Sequence, residues 1–194
     1  NAPELLRLHE RVAGMPLEGV SDAELLEIHH HAVRAGDVAR AKASGRLHGL
    51  SLRSLATRLG TQAAEQRDAA GFERAASLFR YVLDHFDPED AFAWEYLGYN
   101  LARARSPGRA EEIAEAYRRA HTLWPANPLY HGRLLGFRAE LGEEVADEAI
   151  RLIDRYASLS VASDDDRLSY FADAVLGGME RGKRLAQMQR VRVE

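Results

Sequence analysis

The run Trp94-Glu95-Tyr96-Leu97-Gly98, followed by Tyr117-Arg118-Arg119-Ala120-His121-Thr122-Leu123-Trp124-Pro125-Ala126-Asn127-Pro128, decides the fold of this chain. Its spacing is W-x2-L-G, then Y-x2-A-x4-P. Strand signals are nearly absent around it, with no sustained period-two alternation and few β-branched residues. Helix signals recur instead. Ser21-Asp22-Ala23-Glu24 forms a capping box, in which the Ser oxygen and the Glu carboxylate each satisfy a free backbone donor. It opens the apolar set Leu25, Leu26, Ile28 and Ala32 on one helical face. Gly36-Asp37 ends that helix and caps the next. Further breaks fall near Ala70-Gly71, Asp87-Pro88, Ser106-Pro107-Gly108, Pro125 to Pro128, Gly142 and Ser163-Asp164.

The 194 residues suffice for one substantial core or for several stacked helical pairs. Ala, Leu, Arg and Glu dominate, all good helix formers. A net charge of −4 argues against a general nucleic-acid binder, which carries a basic surplus. With no cysteine there is neither a disulfide framework nor thiolate chemistry, which fits a cytoplasmic setting. No apolar run is long enough to span a membrane. The start, Asn1-Ala2-Pro3, has no Met and no signal-peptide pattern, as expected of a piece cut from a longer protein.

Aligned on its breaks, the chain repeats. Residues that let a second helix nest closely fall at Ala41, Ala75, Ile113 and Ala146, spaced by 34, 38 and 33. Four residues on come Gly45, Phe79, Tyr117 and Ile150, and three beyond those His48, Val82, Ala120 and Ile153. Large anchors of the first helices fall at Leu25, Leu59, Trp94 and Tyr130, with Ala32, Gln66, Leu101 and Phe137 seven residues later. Period and motif together resemble a tetratricopeptide (TPR) repeat of about 34 residues. The likeness covers residues 22–158, and its third pair matches best. The second pair departs at Gln62 and Gln66, the fourth at Leu134 and the first at His29.

The resemblance implies an all-α, right-handed TPR-like α-solenoid of about four antiparallel helix pairs with terminal capping helices. No pair buries its apolar face alone, so neighbours stack and the ends need caps. Residues 1–21 would hold the front cap, from Pro3 to residue 13, and 159–194 the back cap and a basic tail. Asp164-Asp165-Asp166 would start the back cap, and Phe171, Ala174 and Val175 would dock it.

TPR arrays usually bind a protein or peptide in a concave groove lined by the first helices. Carried over, that groove takes Leu26, His30 and Val33; Gly60, Ala64 and Arg67; Glu95, Tyr99 and Ala102; and His131, Leu135 and Arg138. Arg34, Phe92 and Arg103 sit nearby. Aromatic and arginine side chains on one face suit an extended peptide with apolar and acidic side chains. Chaperone-binding TPR domains hold a terminal carboxylate with Lys and Asn on this face. Glu95 and Tyr99 stand at the matching positions here and speak against that ligand. The bland alternative is a set of ordinary solvated helix positions.

Catalytic and cofactor motifs are weak. His29-His30-His31 points three ways, because consecutive helix residues are turned by about 100°. Glu27-x-x-His30 is half of a di-iron pattern, and no second Glu-x-x-His occurs. Gly177-x4-Gly182-Lys183-Arg184 lacks the Ser or Thr of a P-loop, so Gly177-Gly178 reads as a helix break. The pairs Glu111-Glu112 and Glu143-Glu144 start expected helices, where negative charge is favourable. Arg181, Lys183, Arg184, Arg190 and Arg192 read as a solvated basic end. The expectation is a non-catalytic scaffold without metal or cofactor.

Two alternatives come from other classes. The stretch from Glu27 to Ala41 resembles the start of the helical repeats in STAND-type signalling ATPases, where the array senses an inducer. A homo-oligomer would instead pair an exposed apolar helix face with its copy.

Overall fold

The computed structural model describes residues 20–105, 108–159 and 165–191. Among them the chain is all helix, with no strand. It divides into two compact units, residues 1–89 and 90–194. The front cap expected at 3–13, Asp164, Arg192 and the side chains of Asp165, Asp166 and Arg190 lie outside the described residues.

The first unit holds α1 (Asp22–Ala35), α2 (Val38–Gln66) and α3 (Ala69–His85). The capping box at Ser21 is formed: Glu24 N–H donates to Ser21 Oγ at 3.4 Å, and Ser21 N–H donates to Glu24 Oε2 at 3.1 Å. Gly36 ends α1 at φ 74°, a left-handed conformation that glycine adopts without strain. Asp37 then accepts from Arg40 N–H at 3.0 Å and starts α2.

Helix α2 departs from the expected pairing. The second helix of pair one and the first of pair two are one continuous helix of 29 residues. No turn chemistry interrupts it, and its hydroxyls bond backwards within the helix. Ser54 Oγ donates to Leu50 O at 3.0 Å, Thr57 Oγ1 to Arg53 O at 2.9 Å and Thr61 Oγ1 to Thr57 O at 3.1 Å. Used this way, they cap nothing.

Both neighbours press on the N-terminal half of α2. A Cβ at Gly45 would stand 2.7 Å from His29 Nδ1, and one at Gly49 would stand 3.0 Å from Phe86 Cβ. His29 therefore fits a small-residue position because Gly45 yields the space, and its Nδ1 lies 2.8 Å from Ala41 O. Leu25, Ile28, Phe72, Ala75, Phe79 and Val82 are buried in this unit.

The second unit holds α4 (Ala91–Ala104), α5 (Ala110–Leu123), α6 (Pro128–Glu140), α7 (Ala146–Leu159) and α8 (Asp165–Val191). The two halves of the W-x2-L-G and Y-x2-A-x4-P motif meet here, since a Cβ at Gly98 would stand 2.9 Å from the Tyr117 ring. Gly98 is glycine because Tyr117 fills that space. Asp90 and Asn127 cap α4 and α6, accepting from Ala93 N–H and Leu129 N–H at 3.1 Å each.

The fourth pair also differs from expectation. Helix α6 makes its most extensive contact with α8, and only a small one with α7. A Cβ on Gly136 would collide with Ala174 O, one on Gly178 with Gly136 O, and one on Gly182 with Ala139 O. These glycines let two helix backbones touch, so Gly177-Gly178 is no break and α8 runs through it. Phe171 and Val175 are buried with Leu135, Ala139, Val145, Ala149 and Tyr156.

Helix α7 and the residue before it give Val145, Ala149, Leu152 and Tyr156 to that core. The expected row Ala146, Ile150, Ile153 is one residue out of register. Ile150 and Ile153 face outward, 58% and 38% exposed.

Candidate functional site

Helix α4 carries Phe92, Tyr96, Tyr99 and Arg103 at spacings of four, three and four, which places them on one face. The Phe92 and Tyr96 rings stack at 4.3 Å, and Tyr96 and Tyr99 lie 6.1 Å apart. The Arg103 guanidinium sits 5.3 Å from the Tyr99 ring centre. The three rings are half-buried, open enough to be touched and packed enough to be held.

Arg133 reaches the same ring from α6, at 4.9 Å. Its Nε donates to Glu95 Oε1 at 2.9 Å. Glu95 is 2% exposed, with burial raising its carboxyl pKa and the Arg133 charge opposing that rise. Burial also works against the Arg133 charge, yet Glu95 and Tyr117 outweigh it and hold the guanidinium pKa above its usual value. Burial, then the Glu95 charge, pushes the Tyr96 phenol up. The face thus joins three aromatic rings to two cations, and one cation is fixed from within.

Phe92, Glu95, Tyr99 and Arg103, all expected in a groove, therefore belong to one helix and meet at one place. Glu95 departs in role: it is buried under the face and works through Arg133. Leu135 departs further, because it is fully buried in the core with Phe171 and offers a partner no surface. Arg138 already has its charge matched, with Nε donating to Glu143 at 2.8 Å and Nη1 to Glu148 at 3.0 Å.

His131 turns to its neighbours, its ring 4.1 Å from that of His121 and its Nδ1 3.2 Å from Tyr156 Oη. Burial, helped by His121, lowers its pKa to about 4. Arg133 is not among the site residues expected from the sequence. The available signal was Glu95 itself, a carboxylate inside an apolar and aromatic run, which needs a partner when buried.

In the first unit, Leu26 is half-buried, and His30 and Arg34 are exposed. His30 and Arg34 join His29, Val33, Tyr81, His85 and Phe86 around an open cleft of about 420 Å³. Arg67 stands apart from them as the left-handed C-cap of α2, at φ 54°. The three consecutive histidines separate as the helix geometry requires. His29 faces Ala41, His30 is exposed and His31 is buried. Among the described residues no group of three or more His, Cys, Asp or Glu could hold a metal ion. No described helix is long and apolar enough to cross a membrane.

Compared with protein-family models, curated proteins and solved structures, the chain matches none. Its likeness to TPR repeats rests on the residues quoted for it.

Proposed function

We propose that this chain is a non-catalytic protein-interaction module, a TPR-like helical-repeat scaffold that binds an extended segment of a partner protein. The observation that carries this is the Phe92–Tyr96–Tyr99 stripe on α4, bordered by Arg103 and Arg133. Tyrosine and phenylalanine give large contact areas with few rotatable bonds, so little side-chain entropy is lost on binding. A helix braced by Gly98 against Tyr117 presents them already ordered.

A photo-crosslinking residue placed at Tyr96, compared with one at Arg119 on α5, tests this in lysate of the source cell. Adducts specific to position 96 support the module. Equal labelling at both positions, or none, rejects binding through α4.

Self-association is favoured by a different observation, the outward pair Ile150 and Ile153 on α7. Light scattering across a concentration series decides it, and a monomer at every concentration rejects it.

A further inference from the structure

Arg103 and Arg133 flank one ring, and among the described residues the carboxylate paired with either of them is Glu95. Glu95 is spent from below, on Arg133 Nε. The Nη groups of Arg133 form no hydrogen bond among the described residues, while 31% of its side chain remains exposed. Arg103 forms no ion pair among them either; its one described contact is the Tyr99 ring. A place in the last turn of α4 suits Arg103 through the helix dipole, but Arg133 lies in mid-helix and has no such reason. The face therefore carries surplus positive charge and unused donors beside a flat aromatic floor.

We infer that Arg103 and Arg133 form a two-guanidinium seat for the carboxylate side chain of an acidic partner peptide, with Tyr99 as its floor. This rests on the proposed interaction face and names the chemistry of its ligand. Guanidinium forks suit carboxylates, forming charge-assisted bonds stronger than neutral ones. Glu95 is a positioning residue, since it touches no ligand and holds Arg133 at the ring. The stacked Phe92 and Tyr96 rings extend the site along α4 for the apolar residues that flank the acid.

The test uses the full chain and two pools of synthetic dodecapeptides, identical at apolar positions. One pool carries Asp and Glu, and the other Asn and Gln at the same places. Anisotropy reads affinity, and the Nε–Hε resonance of Arg133 reads the seat. The acidic pool is expected to bind at least about tenfold tighter, the scale of a charge-assisted hydrogen bond, and to move that resonance. The double variant Glu95→Gln/Arg133→Met is expected to lose the preference while still binding the amide pool. Arg103→Gln, which alters an exposed side chain, should lose part of it and guards against misfolding of the double variant.

Equal binding of both pools, with shifts at Tyr96 and Tyr99, overturns the seat and leaves the interaction face standing. Acid preference that persists in both variants places the anion elsewhere and also overturns the seat. Binding of neither pool overturns the seat and the face together.

Discussion

Glu95 and Arg133 lie 38 residues apart in sequence and meet at 2.9 Å, with Glu95 2% exposed. A buried ion pair is costly to break from one side, because the remaining charge stays desolvated. Arg133→Met alone should cost about 3 kcal/mol of stability. Adding Glu95→Gln should recover most of that loss, since a neutral amide replaces the stranded charge. Urea unfolding of the two single variants and the double checks this. Additive losses would show that the pair is not coupled.

The glycines between α6 and α8 give a second test. Alanine is better than glycine in a helix by about 1 kcal/mol, so an unconstrained glycine should gain from the change. Gly136→Ala and Gly178→Ala should instead destabilise by about 2 kcal/mol or more, because each Cβ meets a backbone carbonyl. Gly177→Ala is the control: its Cβ meets only the flexible end of Arg181, at 3.1 Å. Thermal melts of the three variants should separate the control from the other two.

Acid should weaken the second unit through His131. Its folded pKa is lowered to about 4, while an unfolded histidine titrates near 6.5. Between those values the unfolded chain binds a proton that the folded chain refuses. This contribution is complete above about pH 6.5 and is lost as pH falls toward 4. His121 shifts the same way, through burial and then the Arg155 charge. His131→Gln should therefore show a shallower loss of stability between pH 7 and 4.5 in urea titrations. An unchanged slope would assign the acid sensitivity elsewhere.

What was legible in the sequence was local. The Ser21 box, the Gly36 stop and the Asp37 cap need only neighbouring residues, and each forms. Gly98 and Tyr117 stood out in the sequence as motif residues, but only the fold shows that the ring fills the space beside the glycine. Arg133 did not stand out, because its partner lies on another helix and no i, i+4 rule links them. The stretch from Val145 through α7 presents two adjacent apolar rows, Ala146/Ile150/Ile153 and Val145/Ala149/Leu152/Tyr156. Only the approach of α8 chooses between them. That approach depends on Gly178 and Gly182, which read in sequence as a break or a failed phosphate loop. Helix α2 was hard to read for the opposite reason: its hydroxyls could cap a turn or bond backwards, and the sequence carries both options.

The proposed role of the aromatic face of α4 is to capture a partner. Its most direct test is affinity capture from source-cell lysate by the wild-type chain and by Tyr99→Ala of equal helicity and melting temperature. The account predicts a protein retained by the wild type and lost with the variant. Equal capture by both, or capture by neither, would contradict it.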